Sequence, residues 1–237
     1  MVWTERLTVK RKEFRLALLW LCVGLFVWST GAQAETGGSG FGFEPYFQVG
    51  NIDFESGEEQ GNTHKALIGI GTYGHYFSKT LHYTARIEKW ALAEANDEDM
   101  NVVHDAFRLG LGVDWPFRFR NFTVAPLLGF TYRFMNREPQ GYAHFNELTM
   151  YELQLGVRGE APFFFGSLLL LQAALLAPLE LSVDYGPTPD AGPGFDLQAG
   201  VEWKSARFVF FYERIDMSDP KYRFNLLGLR VGYMFSL

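Results

Sequence analysis

LGLRVGYMFSL, residues 227–237, decides the fold of this chain. Every second residue of this stretch is apolar, from Leu227 to Leu237, and the positions between include Gly228, Arg230 and Gly232. Such alternation predicts a β-strand with one apolar and one polar face. In a chain that also begins with an export signal, strands of this kind are typical of proteins that cross a membrane as a closed sheet.

The first 34 residues have the parts of an export signal. Basic residues precede a run from Leu16 to Trp28 that is almost wholly apolar, and Ala32-Gln33-Ala34 forms a small-x-small cleavage site. The apolar run is shorter than the roughly 20 residues that a membrane-spanning helix needs. We therefore expect residues 1–34 to be a cleaved signal peptide and residues 35–237 to form one domain.

Charge and cysteine content exclude two further classes of protein. The net charge of the chain is −6, and the signal segment carries five basic and two acidic residues, so the processed chain is more acidic still. Affinity for nucleic acid comes from clustered Lys and Arg, so a nucleic-acid partner is not expected. The single cysteine, Cys22, lies within the signal, which leaves the processed chain without a disulfide.

Alternation recurs along the whole processed chain. It is as clear as in residues 227–237 over four more segments, 106–115, 122–134, 151–158 and 195–204. Weaker patterns predict strands near 41–54, 64–77, 81–95, 168–185 and 207–216. The count is ten, with eight as the alternative, because the pattern shifts phase near Asn51 and near Lys89-Trp90. A β-bulge at each place would account for the shift.

Two features indicate that the apolar face points outward, into lipid. Glycines such as Gly110, Gly129 and Gly200 recur at the polar positions of the alternation, where a crowded lumen favours small residues. Aromatic residues such as Trp115 and Trp203 lie near the ends of the apolar phase, where interfacial girdles belong. The sequence therefore predicts an all-β protein, an antiparallel up-and-down transmembrane β-barrel.

The export signal and the final Tyr233-Met234-Phe235-Ser236-Leu237 resemble those of the small outer-membrane β-barrel proteins of Gram-negative bacteria. No motif ties the chain to one subfamily. The resemblance implies a location in the bacterial outer membrane, among its lipids and lipopolysaccharide. It also implies that Tyr233, Phe235 and Leu237 form the signal that the barrel-assembly machinery reads.

Charged residues of both signs occupy the phase that would face the lumen. A barrel of eight to ten strands has little room beyond its own side chains. These charges predict either a structural plug of ion pairs or a narrow, porin-like hydrated pore, and the sequence leaves both open. The predicted lumen-lining residues are Arg86, Glu88, Arg108, Asp114, Arg133, Glu152, Arg158, Glu180, Asp196, Glu202 and Arg230.

Two local features suggest more specific roles. Both phases are apolar from Leu168 to Leu181, which predicts either a packed core or a site for a small hydrophobic ligand near Leu168, Leu170 and Leu176.

An acidic cluster with one histidine lies near an outer loop, formed by Asp97, Asp99, His104 and Asp105. It would suit a rim-active hydrolase of the protease or lipid A deacylase type, which is the alternative function. The main expectation is a non-enzymatic barrel with a structural, surface-interaction or narrow-pore role. Neither a cofactor nor a metal site is predicted.

Overall fold

The computed structural model describes residues 39–56, 63–95, 100–137, 147–183, 190–218 and 222–237. The predicted signal peptide lies outside these residues. Ten long strands account for almost all of the described chain: β1 Gly40–Ser56, β2 Thr63–Phe77, β3 His82–Ala95, β4 Met100–Asp114, β5 Thr123–Arg137, β6 Glu147–Pro162, β7 Leu168–Val183, β8 Asp190–Trp203, β9 Ala206–Ser218 and β10 Tyr222–Tyr233.

The sheet closes on itself. Each strand pairs antiparallel with the next one along the chain, and β10 pairs with β1, from Tyr46 opposite Gly232 to Ser56 opposite Tyr222. A short continuation of β10, Phe235–Ser236, also pairs with β1. The predicted ten-stranded antiparallel barrel is confirmed, and the eight-stranded alternative is wrong. Closure leaves no strand edge unpaired, as a sheet inside a bilayer requires.

The outer face of the barrel is apolar. Phe210 and Ile70 are each 64% exposed, and Val231 also faces outward. We call this surface the lipid-facing belt; its exposed members include Phe47, Ile68, Ile70, Leu128, Leu155, Val157, Leu171, Leu175, Leu197, Phe208, Phe210, Leu227 and Val231. So much exposed apolar surface is stable only in contact with lipid.

The two apparent phase shifts are not bulges, so that prediction is wrong. Pairing between β1 and β2 runs without a break through Asn51, and pairing between β2 and β3 runs without a break through Lys89 and Trp90. Instead, Ile52 and Trp90 point inward and are buried. The apolar residues change face because the interior of the barrel becomes apolar at this level while the exterior becomes polar.

A real irregularity lies between β6 and β7, and it overturns one predicted lumen residue. Tyr151 pairs with Glu180 and Glu152 pairs with Pro178, so Leu179 is an extra residue in β7. Beyond this bulge an odd-numbered residue of β7, Leu181, points into the barrel and is buried. Glu180 consequently shares the outer face of Tyr151 and is exposed. A bulge changes the face of every residue that follows it, and nothing in the local alternation marks its position.

Both ends of the described chain lie at the same end of the barrel as three short turns, at residues 78–81, 163–167 and 204–205, and one longer connection, at residues 115–122. The tightest of these turns has Lys204 and Ser205 at positive φ, +47° and +71°, as a two-residue hairpin of the right twist requires. In outer-membrane barrels the short turns face the periplasm. We therefore call this the periplasmic end and the other the extracellular end.

None of the helical structure in the described ranges is long and apolar enough to cross a membrane.

Candidate functional site: the barrel interior

The extracellular half of the interior is filled by apolar side chains. We call this region the apolar plug; its largest fully buried members are Ile52, Leu67, Trp90, Leu148, Met150, Ile215, Phe224 and Leu226. Every strand except β8 contributes at least one buried residue to it. The plug packs like the core of a soluble protein, although it lies inside a membrane barrel.

Packed against the plug lies a set of buried charges, which we call the ionic layer. Its members are Arg86, Glu88, Arg108, Arg133, Glu152, Glu213 and Arg230. Four arginines face three glutamates, and Asp196 lies among the surrounding amides. Burial of so many charges is tolerable only because each lies within ion-pair distance of an opposite charge.

Glu88 and Glu213 are the two centres of the ionic layer. Glu88 lies 2.8 Å from Arg86, 3.6 Å from Arg108 and 3.7 Å from Arg230. Glu213 accepts hydrogen bonds from Arg108 and from Arg133. These contacts join residues from five strands, so the layer braces the barrel across its interior.

The arginines also join the ionic layer to aromatic rings above and beside it. Arg108 lies 4.9 Å from the ring centre of Trp90, and Arg133 lies 4.7 Å from that of Phe224. Arg230 lies 4.8 Å from the ring of Tyr46. Cation–π contacts of this kind strengthen when the partners are desolvated. The plug and the ionic layer therefore form one packed unit.

Asp196 is held by amides and not by arginines. Its Oδ2 accepts hydrogen bonds from the side-chain amides of Gln154, Gln172 and Gln198, at 3.0, 3.1 and 2.9 Å. Three donors on one oxygen satisfy a buried carboxylate without a cation.

The periplasmic end of the interior contains a cavity of about 120 Å³, which we call the periplasmic chamber. Its polar lining includes Glu44, Tyr73, His75, Asp114, Arg158 and Arg207. Arg207 donates to Glu44 at 2.7 Å and to Glu202 at 2.6 Å. The interior is thus polar and partly open at the periplasmic end, and apolar and filled at the extracellular end.

Ten of the eleven predicted lumen residues point into the barrel. Arg86, Glu88, Arg108, Arg133, Glu152 and Arg230 meet in the ionic layer. Asp114, Arg158 and Glu202 lie at the periplasmic chamber, and Asp196 lies between the two regions. Glu180 is the exception described above.

The sequence analysis missed Glu213, His75 and Arg207 as interior residues, and it left His82 as either a lumen or a loop residue. Glu213 lies in β9, where Phe208 to Tyr212 are apolar in both phases, so alternation does not show which side faces lipid. Glu213 lies an even number of positions from Arg207 and therefore on the same face of the strand, and this spacing is the signal that could have identified it as an interior residue. The histidines lie beside a turn, where a strand end and a loop look alike in sequence.

The other predicted sites have mixed placements. Asp97 and Asp99 lie outside the described residues, and His104 and Asp105 lie in β4, with only their backbone described. Leu176 belongs to the apolar plug and Leu170 lines the periplasmic chamber, whereas Leu168 is partly exposed at the start of β7. A hydrophobic ligand near these leucines stays a prediction. Within the described ranges, no group of three or more metal-ligating side chains is placed to hold a metal ion.

The predicted assembly signal lies on the outer surface at the periplasmic end. Tyr233, Phe235 and Leu237 are all exposed. Phe235 pairs with Phe43, and the backbone N–H of Leu237 donates to the carbonyl of Phe41 at 2.9 Å. These three residues therefore run along the seam where the barrel closes.

Comparison with known proteins gives likeness of fold only. No family model and no curated protein matches the chain. Among solved structures it is similar to the beta domain of the Bordetella autotransporter BrkA, with 10% identity, a TM-score of 0.48, and coverage of 81% of this chain and 98% of that one. It is also similar to the transport unit of the autotransporter AIDA-I from Escherichia coli, with 8% identity, a TM-score of 0.46, and coverage of 86% and 92%.

A third similar structure is the translocator domain of the autotransporter NalP from Neisseria meningitidis, with 14% identity, a TM-score of 0.40, and coverage of 96% and 97%. The assignment of this chain rests on its own geometry. A closed antiparallel sheet with an even number of strands and an apolar exterior is the form in which proteins span the bacterial outer membrane. The predicted fold class is confirmed, and the outer-membrane location follows from it.

Proposed function

We propose that this outer-membrane β-barrel is a non-conducting scaffold with a structural or surface-interaction role. The observation that carries the proposal is the burial of Arg133, which is only 1% exposed in the middle of the interior. A water-filled channel would expose the side chains that line it. Glu88 and Glu152, beside it in the ionic layer, are equally buried.

The apolar plug supports the same proposal. A pore requires a continuous polar path, and Ile52, Ile215 and Phe224 fill the extracellular half of the interior. Hydrophobic constrictions exclude water and ions even where they are not fully closed. The chamber at the other end is then a recess, open on the periplasmic side.

Planar-bilayer recording tests the proposal. Refolded protein, checked for a folded barrel by its heat-dependent gel migration, is expected to give no conductance steps at concentrations where a general porin gives many. A matched pair of variants adds a control. Phe224→Ala removes an aromatic ring from the plug, and Phe210→Ala removes one from the lipid-facing belt. Reproducible steps from the unaltered protein would contradict the proposal, and steps from Phe224→Ala alone would identify the plug as the seal.

The same preparation tests the hydrolase alternative. We expect no peptidase and no lipid A deacylase activity in the refolded protein. Activity that disappears in His104→Ala and Asp105→Asn, with folding unchanged, would establish the alternative instead. The surroundings that the proposal implies are outer-membrane lipid, lipopolysaccharide and, during insertion, the barrel-assembly machinery.

A further inference from the structure

Four buried side chains lie in a row at the wall of the periplasmic chamber, each with a polar atom within hydrogen-bond distance of the next. We call this row the histidine relay: Glu44, His75, His82 and Asp114. Nε2 of His75 lies 3.3 Å from Glu44, and Nδ1 of His75 lies 3.1 Å from Nε2 of His82. Nδ1 of His82 lies 3.0 Å from Asp114. None of the four is more than 4% exposed.

Arg158 lies against one end of the histidine relay. Its Nη2 is 2.6 Å from Nδ1 of His82 and 2.9 Å from Oδ2 of Asp114. Three groups, a guanidinium, an imidazole nitrogen and a carboxylate oxygen, are therefore within hydrogen-bond distance of one another. Both the carboxylate and a neutral imidazole nitrogen can accept a hydrogen bond, and the guanidinium can only donate.

These contacts fix the proton positions when both imidazoles are neutral. His75 donates from Nε2 to Glu44, so its Nδ1 carries a lone pair that accepts the N–H of His82 Nε2. Nδ1 of His82 then also carries a lone pair, and Arg158 donates to it. In this assignment the contacts of His75 with Glu44, of His82 with His75 and of Arg158 with His82 each have one hydrogen and one acceptor. Nδ1 of His82 and Oδ2 of Asp114 are then both acceptors, and Nη2 of Arg158 lies within hydrogen-bond distance of both. The opposite assignment would turn an N–H of His82 toward Arg158, which can only donate.

We propose that the histidine relay is a proton-binding site at which a proton and Arg158 compete for Nδ1 of His82. A proton from the periplasmic water that binds this lone pair forms a new N–H bond, and that N–H donates to Oδ2 of Asp114. The O–H bond of the hydronium ion that delivers the proton breaks, a water molecule leaves, and the pair of imidazoles gains one positive charge. Arg158 loses one acceptor, because a donor now faces its Nη2.

The geometry limits the uptake to one proton. After the first proton has bound, Nε2 of His82 still donates to Nδ1 of His75. A second proton on that His75 nitrogen would place two N–H groups face to face at 3.1 Å. Repulsion between the two donors and the two like charges opposes this state.

The charges around the relay favour one added positive charge. The charged side chains that face it from the neighbouring strands, besides its own two carboxylates, are Arg158 and Glu160 from β6, Glu202 from β8 and Arg207 from β9. These residues and the two carboxylates of the relay make four carboxylates against two guanidiniums. The ring of Tyr73 from β2 also packs on His75, with centroids 5.7 Å apart. Arg86 and Arg230 also line the chamber, and each lies within ion-pair distance of Glu88 in the ionic layer.

Arg158 is the side chain that can move when the proton binds to His82. Its side chain is 23% exposed, more than any member of the relay, and Glu160 lies 3.7 Å from its Nε. When the proton takes Nδ1 of His82, Arg158 can turn toward Glu160 and still balance the local charge. Binding of one proton thus changes which cation lines the chamber. This inference does not depend on whether the barrel conducts.

Nuclear magnetic resonance of the refolded barrel, with ¹⁵N-labelled histidine, tests the proposal. The signals of His75 and His82 are assigned with His75→Gln and His82→Gln, and metal ions are removed with a chelator. Imidazole titrates nearest to neutral pH, so the pH is varied from about 4 to 8. We expect Nδ1 of His82 to gain one proton in a single step while His75 stays neutral with its proton on Nε2. Uptake first at His75, uptake of two protons, or no uptake at either ring would each overturn the proposal.

Two variants separate competition from general electrostatics. Arg158→Met removes a charge and the competing donor, whereas Arg207→Met removes an equal charge at Glu44, away from His82. Removal of the competing donor acts directly on Nδ1 of His82, so at one fixed pH a larger fraction of His82 should carry a proton on Nδ1 in Arg158→Met than in Arg207→Met. Equal fractions in the two variants would overturn the competition. Should Arg158→Met not fold, Arg158→Gln serves in its place, and the proton positions of the unaltered protein decide the proposal on their own.

Discussion

The apolar plug and the ionic layer fill adjacent parts of the same interior by opposite means. Both contain side chains with almost no exposure, such as Ile215 in the plug and Arg133 in the layer. In the plug, each contact is small and non-directional, so one lost group leaves a local cavity. In the ionic layer, each charge is compensated by one or a few specific opposite charges, so the loss of one group leaves other charges uncompensated. Loss of one side chain should therefore lower the free energy of unfolding by a different mechanism in each region.

The contact geometry of glycines shows how tightly the two regions meet. A methyl group added at Gly228 would come within 2.5 Å of the Phe211 ring, and one added at Gly71 would come within 2.5 Å of the Tyr46 ring. Phe211 belongs to the plug, and Tyr46 lies against Arg230 of the ionic layer. Aromatic rings lie over bare backbone at this boundary, which is the reason for glycine at both positions.

The largest expected effect is that of Arg133→Met. It leaves Glu152 buried without its arginine and Glu213 with only Arg108, so we expect a loss of about 3–5 kcal/mol in the free energy of unfolding. Urea titration of the barrel in phospholipid vesicles, followed by tryptophan fluorescence, measures it.

The double variant Arg133→Met/Glu152→Gln is the matched control. It removes the charge and its principal partner together, and should recover most of the loss, since the stranded charge is what destabilises the single variant. A double variant no more stable than the single one would show that packing of Arg133, and not charge balance, holds the layer.

The next effect tests the boundary between interior and exterior. Phe210→Lys places a charge in the lipid-facing belt, where we expect a cost of about 2–4 kcal/mol in the free energy of folding into vesicles. The interior accepts arginines because glutamates face them, and lipid offers no such partner. Phe210→Leu is the control and should be close to neutral; a lysine tolerated as well as the leucine would mean that this face does not contact hydrocarbon.

A smaller effect is expected in the apolar plug. Ile215→Val removes one methylene from a fully buried side chain and should cost about 0.5–1.5 kcal/mol in the same urea titration. Ile70→Val makes the identical change in the lipid-facing belt, where lipid can fill the gap, and should cost less. Equal costs at the two positions would argue against a densely packed plug.

The smallest effect is expected for an ion cluster on the outer face. Asp216 accepts hydrogen bonds from Arg214 at 3.1 Å and from Arg223 at 2.9 Å, and all three are partly exposed. Asp216→Asn should cost only about 0.2–1 kcal/mol, and less at high salt, because water screens the pair. A loss comparable to that of Arg133→Met would show that exposure does not separate the two kinds of ion pair.

Local pattern predicted the strands well and their irregularities badly. The strand count, the pairing order and the outward face of Val231 follow from alternation, which every residue of a strand obeys. The apparent shifts at Asn51 and Trp90 were misassigned as bulges because a change in the filling of the lumen looks the same in one strand. The bulge beside Glu180, one of three register shifts in the described sheet, was missed because alternate positions on both faces of that stretch are apolar.

The sequence by itself determined a closed sheet, the face that meets lipid and most of the charges inside. These properties depend on a period of two, which is local to each strand. Only the tertiary structure decided which charges meet: Arg133 reaches Glu213, 80 residues away, and Arg158 reaches His82, 76 residues away. Such pairs form across the lumen, where distance is set by closure and by the register of all ten strands together. The same closure brought buried apolar residues of nine strands together in the plug.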